Sequence, residues 1–300
     1  MPPCKRHFWF AVLCCILLAC GSALGQDEEH FQRLLDEKSP AIVTIKCVLK
    51  LKSGRNDKEM QSENSGVMID PKGLVLCSNS RLGGAYGVTR RLYAASASGI
   101  SITPTDIKVI VGDAAEGVDA KFVARDTELD LAWIQIKEPG DKAFADVDLS
   151  KGSTAKVGQR VFSIYRANKY FDRAPMVLDT AISGVIKKPR EMYRAGDVSA
   201  ALGLPAFAAD GRVVGIHAMV VPESDEESDA QSIMLDRSVN SQQYSGGLLP
   251  VSEVVKATAR AKESAASEPA SEESSEETST TKPAKAGKKS DGQKDTTKEK

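Results

Sequence analysis

The sequence predicts an all-β fold of antiparallel sheet, either a barrel or a sandwich. Three observations carry the prediction. First, "AIVTIKCVLK", "SGVMID", "GLVLCS", "IKVIVGD", "AKFVARD", "LDLAWIQI", "RVFSIY", "VLDTAISGVIKK" and "GRVVGIHAMVV" are short runs rich in Val and Ile, separated by Gly, Asp, Asn or Pro. Second, no helical period falls between them, which disfavours the alternating strand–helix order of a parallel sheet. Third, helical spacing is confined to the edges of the core. Phe31, Leu34 and Leu35 form a stripe near the start, and Ser252 can cap "SEVVKATARAK" near the end.

The ends of the 300-residue chain are set apart from this core. Lys5, Arg6 and His7 precede an apolar run from Phe8 to Ala19, and Ala23-Leu24-Gly25 supplies small residues at the positions a signal peptidase reads. Residues 1–25 are therefore expected to be a signal peptide cleaved near Gly25, with the mature chain secreted or periplasmic. The apolar run is too short to span a bilayer of about 30 Å as a helix. An alternative reads Leu17-Leu18-Ala19-Cys20 as a lipobox, with Cys20 as a lipidated first residue.

Residues 258–300 hold no Val, Ile, Leu, Met, Phe, Tyr, Trp or Cys, so they are expected to form a disordered tail. Its "ESAASEPASEESSEETST" is acidic and its "TKPAKAGKKSDGQKDTTKEK" is rich in Lys. A solvated tail is the plain reading of that pattern. A charged tether to an envelope polymer or membrane surface is the sharper one.

The net charge of −1 gives no argument for nucleic acid as a partner. No phosphate-cradling glycine motif and no zinc-ligand spacing occur. The only histidines are His7, His30 and His217, so neither a cofactor nor a histidine-based metal site is expected. After cleavage only Cys47 and Cys77 remain, and these are either one disulfide or two buried thiols.

Read in order, the core strands resemble the protease domain of the HtrA/Deg family of trypsin-like serine proteases. The similarity runs from about Ser39 to Val255. "SPAIVTIK" looks like the opening strand, "SGVMIDPKGLVLCSNS" like the hairpin leading to the catalytic histidine, and "DTELDLAWIQI" like the Asp-Leu-Ala strand. "VLDTAISGVI" is similar to the strand after the crossover, "LGLPAFAADGRVVGIHA" to the segment that begins at the catalytic serine, and "GGLLPV" to the final strand. The resemblance implies a chymotrypsin-like fold over residues 26–257, with two β-barrels at about 39–150 and 155–257 and short terminal helices. Residues 150–158 would be the crossover. It also implies that the PDZ domain usual in the family is replaced here by the tail.

The family's chemistry needs a serine nucleophile, a histidine base, a carboxylate that orients it and backbone donors for the oxyanion. Asp130 falls on the carboxylate position, Ser80 on that of the histidine and Leu202 on that of the serine. No triad is intact, and Ala200 stands where the family has an oxyanion-hole glycine, a residue with more backbone freedom. Asp130, lacking an imidazole to orient, is expected to accept hydrogen bonds from Ser80 or from backbone amides.

These positions point to a pseudoprotease that binds or scaffolds. Its partner would be an extended peptide or unfolded protein segment held on a barrel edge strand, with Ala200, Leu204 and His217 beside the cleft and Leu202 and Leu204 making an apolar groove. His217 falls on the substrate-binding wall. The long acidic segment from Pro222 to Gly247 would flank the specificity pocket. Two alternatives stand beside this reading. One is an active serine endopeptidase with a rearranged site drawn from Ser199, Ser80, Asp130 and a lysine. The other is a structural envelope protein whose barrel carries the charged tail.

Overall fold

The computed structural model describes residues 29–52, 57–84, 101–188, 190–196, 199–219 and 246–267. The expected signal peptide (residues 1–25) with Cys20, most of the acidic insertion (residues 222–245) and the expected tail beyond Ser267 lie outside them.

A helix over residues 29–38, α1, opens the described chain and buries Leu34. Six strands follow: β1 (Ile42–Lys52), β2 (Lys58–Asp70), β3 (Leu74–Ser78), β4 (Ser101–Ile110), β5 (Val118–Asp126) and β6 (Leu131–Ile136). They hydrogen-bond in the order β1-β2-β3-β6-β5-β4 and close into a barrel. All neighbours are antiparallel, as the short connections require. Ile45, Val67, Leu76, Leu131 and Ile134 are fully buried in it. Burying each such side chain contributes about 1.5–3 kcal/mol, which is what holds the strand register.

The second half contains β7 (Arg160–Arg166), β8 (Pro175–Ala181), β9 (Gly184–Ile186), β10 (Met192–Arg194), β11 (Pro205–Phe207), β12 (Val213–Ala218) and β13 (Gly247–Pro250). Its sheet order is β8-β7-β11-β12-β13-β10-β9. The two end strands are consecutive in the chain, separated only by Ile182 and Ser183. The sheet therefore closes through one bent strand instead of a hydrogen-bonded ladder, and Ser183 N–H donates to Arg194 O at 2.8 Å just beyond the bend. This is the expected two-barrel, chymotrypsin-like architecture. The run "VLDTAISGVIKK" is the element that turns the corner, with Ile182 buried at the bend.

Helix α2 (Val251–Ser267) follows β13 and crosses back to the first barrel. Val251, Val254, Ala257 and Ala261 form its buried stripe. Thr258 Oγ1 accepts from Trp133 Nε1 at 3.1 Å, and Lys262 pairs with Asp70. This corrects the expected onset of disorder at residue 258: residues 258–267 are helical. The only apolar side chains in residues 258–267 are alanines, and buried Ala261, one turn after Ala257, seats this part of the helix beside the Thr258 bond to Trp133.

The halves are also tied by Arg166 of β7. Its guanidinium donates to Ile42 O (2.9 Å), Ser39 O (3.0 Å) and Arg173 O (3.2 Å) while its side chain is only 5% exposed.

Candidate functional site

The site begins with the turn between β5 and β6. Asp126 Oδ1 accepts from the amides of Glu128 (3.1 Å) and Leu129 (3.0 Å), a local Asx arrangement that reverses the chain. Asp130 then takes a left-handed conformation, φ +56°, which aspartate tolerates better than most residues. Its carbonyl accepts from Asn79 N–H at 3.0 Å, fixing the turn against the end of β3.

The carboxylate is 5% exposed and fully engaged. Ser80 N–H donates to Oδ1 at 2.6 Å. On Oδ2 converge Ser78 Oγ (2.8 Å), Met219 N–H (2.9 Å) and, less closely, Ser80 Oγ (3.3 Å). The two serine hydroxyls are 2.7 Å apart. Each serine has one proton, so the shortest set is a relay in which Ser80 donates to Ser78 and Ser78 to the carboxylate. Burial lifts the Asp130 carboxyl above the usual carboxylate range, and the Met219 and Ser80 amides and the two hydroxyls pull it part of the way back.

Opposite lies the turn Ser199–Ala201, a single 3-10 turn containing Ala200. Arg81, one residue beyond Ser80, donates from Nη2 to Ser199 O at 2.7 Å and bridges the two sides. Leu202 is 8% exposed. Its Cδ2 lies so near Gly246 that a Cβ there would be 3.3 Å away. Gly203 has φ +83°, and a Cβ on it would fall 2.2 Å from Ser78 N, so at this point the second barrel's backbone rests directly on the first.

The structure thus brings together Ser80, Asp130 and the Ser199–Leu202 segment in the expected neighbourhood, but it does not bring His217 or Leu204 into an open cleft. Both are fully buried. His217 Nε2 is 2.7 Å from Ser163 Oγ on β7, reaching past the intervening strand β11, and no protein group satisfies its Nδ1. Burial pushes the imidazole down to about 3, so it stays neutral at ordinary pH. The cleft placement of these two residues is therefore corrected. Every residue of β12 is buried, so the strand has no outward face on which a wall residue could stand. Leu202 remains at the rim, without the exposed apolar groove expected of Leu202 and Leu204 together. Ala200 is exposed.

His30 is no substitute base. Its ring packs on Phe162 with centroids 5.0 Å apart, on α1. Cys47 and Cys77 are free and buried, and burial pushes the Cys47 thiol up to about 11 and that of Cys77 higher still. Among the described residues no cluster of His, Cys, Asp and Glu is arranged to hold a metal ion.

Ser78, Arg81 and Met219 were not legible as site residues. Ser78 stands two positions before Ser80 in "SNS", and the only sequence signal for it is that pairing of hydroxyls. Met219 acts through its backbone amide and carries no side-chain signal.

The family model of the trypsin-like peptidase domain matches residues 64–216, just over half of the chain. No curated protein matches. Among solved structures, Deg5 is similar at 18% identity, covering 77% of this chain and 92% of its own, with a TM-score of 0.50. The HtrA-type protease AlgW, solved as a serine-to-alanine variant with a decapeptide, is similar at 16% identity, covering 78% of this chain and 67% of its own, with a TM-score of 0.53. The MamO protease domain from Magnetospirillum magneticum in its apo form gives 17% identity, 73% and 96% coverage and a TM-score of 0.44. At these identities Deg5 and AlgW speak to the fold alone. With the matched segment running from β2 through β12, across both barrels, the chain belongs to the trypsin-like peptidase domain family.

Proposed function

We propose that the chain is an exported pseudoprotease, a member of the family that binds and does not cleave. The observation that carries this reading is the saturated carboxylate of Asp130. Every donor on it is an amide or a hydroxyl, and the place of the base is taken by Ser80. A serine hydroxyl cannot accept a proton at neutral pH, and Leu202 offers no nucleophile. Losing a triad member costs a factor on the order of a million in turnover.

The ligand class proposed is an extended peptide or unfolded protein segment, since such binding needs backbone groups and shallow pockets and no reactive serine. The decapeptide in the AlgW structure makes peptides of that length the first probes. Because Leu204 and His217 face the interior, the proposed contact is the exposed face of the turn at Ser199 and Ala200.

The test is incubation of the purified mature chain with a fluorescently labelled, intrinsically unfolded protein, beside its Asp130→Ala variant. No cleavage by the parent is expected. Cleavage by the parent overturns the reading, and its loss in an Asp130→Ala variant that circular dichroism shows to be folded would point to chemistry at this site. In parallel, anisotropy of labelled decapeptides should rise on addition of the parent. No change across a diverse set removes the peptide assignment.

A further inference from the structure

We infer that Asp130 is a clamp that fastens the end of β12, in the second barrel, to the floor of the first barrel. The inference does not depend on what the cleft binds. Met219 is the residue after β12, and its N–H points at Asp130 Oδ2 from 2.9 Å. The carboxylate is held from beneath by Ser80 N–H at 2.6 Å and by the Ser78 hydroxyl at 2.8 Å, both in the first barrel. One buried anion therefore gathers donors from both halves, and hydrogen bonds to a charged acceptor are about twice as strong as neutral ones.

Two neighbouring contacts make the same junction close. Gly203 approaches Ser78 so nearly that any side chain is excluded, and Arg81 reaches Ser199 O. The clamp differs from these in what it restrains. It commits a backbone donor at the end of β12, so that donor cannot pair with an added strand while the contact lasts. Asp130 is thereby a positioning residue for the cleft edge, one that controls whether the Met219 amide is available.

Donor and acceptor counting supplies a selective probe. Asparagine has the shape of aspartate but only one acceptor oxygen, and its NH2 must replace one carboxylate oxygen. At the Oδ2 position two hydroxyl oxygens, Ser78 and Ser80, can accept from that NH2. At the Oδ1 position it would face Ser80 N–H at 2.6 Å. Asp130→Asn therefore keeps the Ser80 bond and sets an NH2 against Met219 N–H, releasing the end of β12.

The experiment is native-state amide hydrogen exchange by NMR on the full mature chain. In the parent, Met219 N–H should exchange at least about tenfold more slowly than an unprotected amide. In Asp130→Asn that protection should fall by about tenfold or more while Ser80 N–H and the β3 and β6 amides keep theirs. Should Asp130→Asn fail to fold, the parent's own Met219 protection and the Ser78→Ala variant remain as readouts, the latter being expected to leave Met219 protected. An unprotected Met219 amide in the parent overturns the clamp, and so does protection that survives in a folded Asp130→Asn.

Discussion

Lowering the pH from 7 to 5 is expected to cost the folded protein about 2 kcal/mol through His217 alone. The imidazole is fully buried, with Nε2 on Ser163 Oγ and no protein partner for Nδ1, and burial takes it from an ordinary value of 6.5 down to about 3. In this window the folded chain leaves the ring neutral while the unfolded chain protonates it. The unfolded state then binds more protons, so stability falls as pH falls. The loss begins near 6.5, grows by about 1.4 kcal/mol per pH unit and levels off near 3. Integrating from pH 7 to 5 gives the figure of about 2 kcal/mol. Asp130 and Asp146, whose carboxyls burial raises, act in the opposite direction, so the comparison must be with a variant that leaves them in place. The assay is urea unfolding of the parent and His217→Gln at both pH values. The parent should lose about 2 kcal/mol more than the variant. Equal losses, or an NMR titration of His217 centred near 6.5, would refute the reasoning.

Gly203→Ala should destabilise by about 3 kcal/mol or more, because the left-handed backbone and the backbone contact at Ser78 N leave no room for a methyl group; the urea midpoint measures it. Arg166→Met should cost about 3 kcal/mol in the same assay by stranding the carbonyls of Ser39, Ile42 and Arg173 in the junction between the halves. Truncation after Ala257 should lower stability by about 2 kcal/mol, since it removes the Thr258 bond to Trp133 and the burial of Ala261. Neither Cys47 nor Cys77 should react with iodoacetamide in the folded protein at pH 8, while both should be alkylated in urea, as intact-mass measurement would record.

The strands with an apolar face were legible in the sequence, and the others were not. β1, β3, β6 and β12 carry enough Val, Ile and Leu to announce themselves. The first half of β2, "KEMQSEN", is polar and mostly exposed, so it has no alternation to read and is held in place by its long ladder with β1. β10 and β11 are three residues each, below the length at which a period exists. The bend at Ile182–Ser183 was invisible because a strand that turns a barrel corner keeps its apolar composition on both sides. At the site, the positions of Ser80, Asp130 and Leu202 could be counted from flanking motifs. The orientation of His217 could not, since a strand buried on both faces offers no polar residues to set its parity, nor could that of Leu204, which sits in the bend before β11 where no period applies.

The retained aspartate is best understood through its lone pairs. A carboxylate that orients a catalytic imidazole must keep one position open on the oxygen facing it. Here Oδ1 has the Ser80 amide, while Oδ2 has the Ser78 hydroxyl and the Met219 amide at bonding distance and the Ser80 hydroxyl beyond them. Oδ2 is thus engaged twice at bonding distance, once by a side chain of the first barrel and once by the backbone of the second. Removing Asp130 would leave two amides and a hydroxyl unsatisfied in a buried junction, at about 1–3 kcal/mol each, which is reason enough for a carboxylate to stand here without catalysis. The same count implies that a histidine and a serine placed at positions 80 and 202 would not by themselves recreate a triad. Either the Ser78 hydroxyl or the end of β12 would first have to leave the carboxylate.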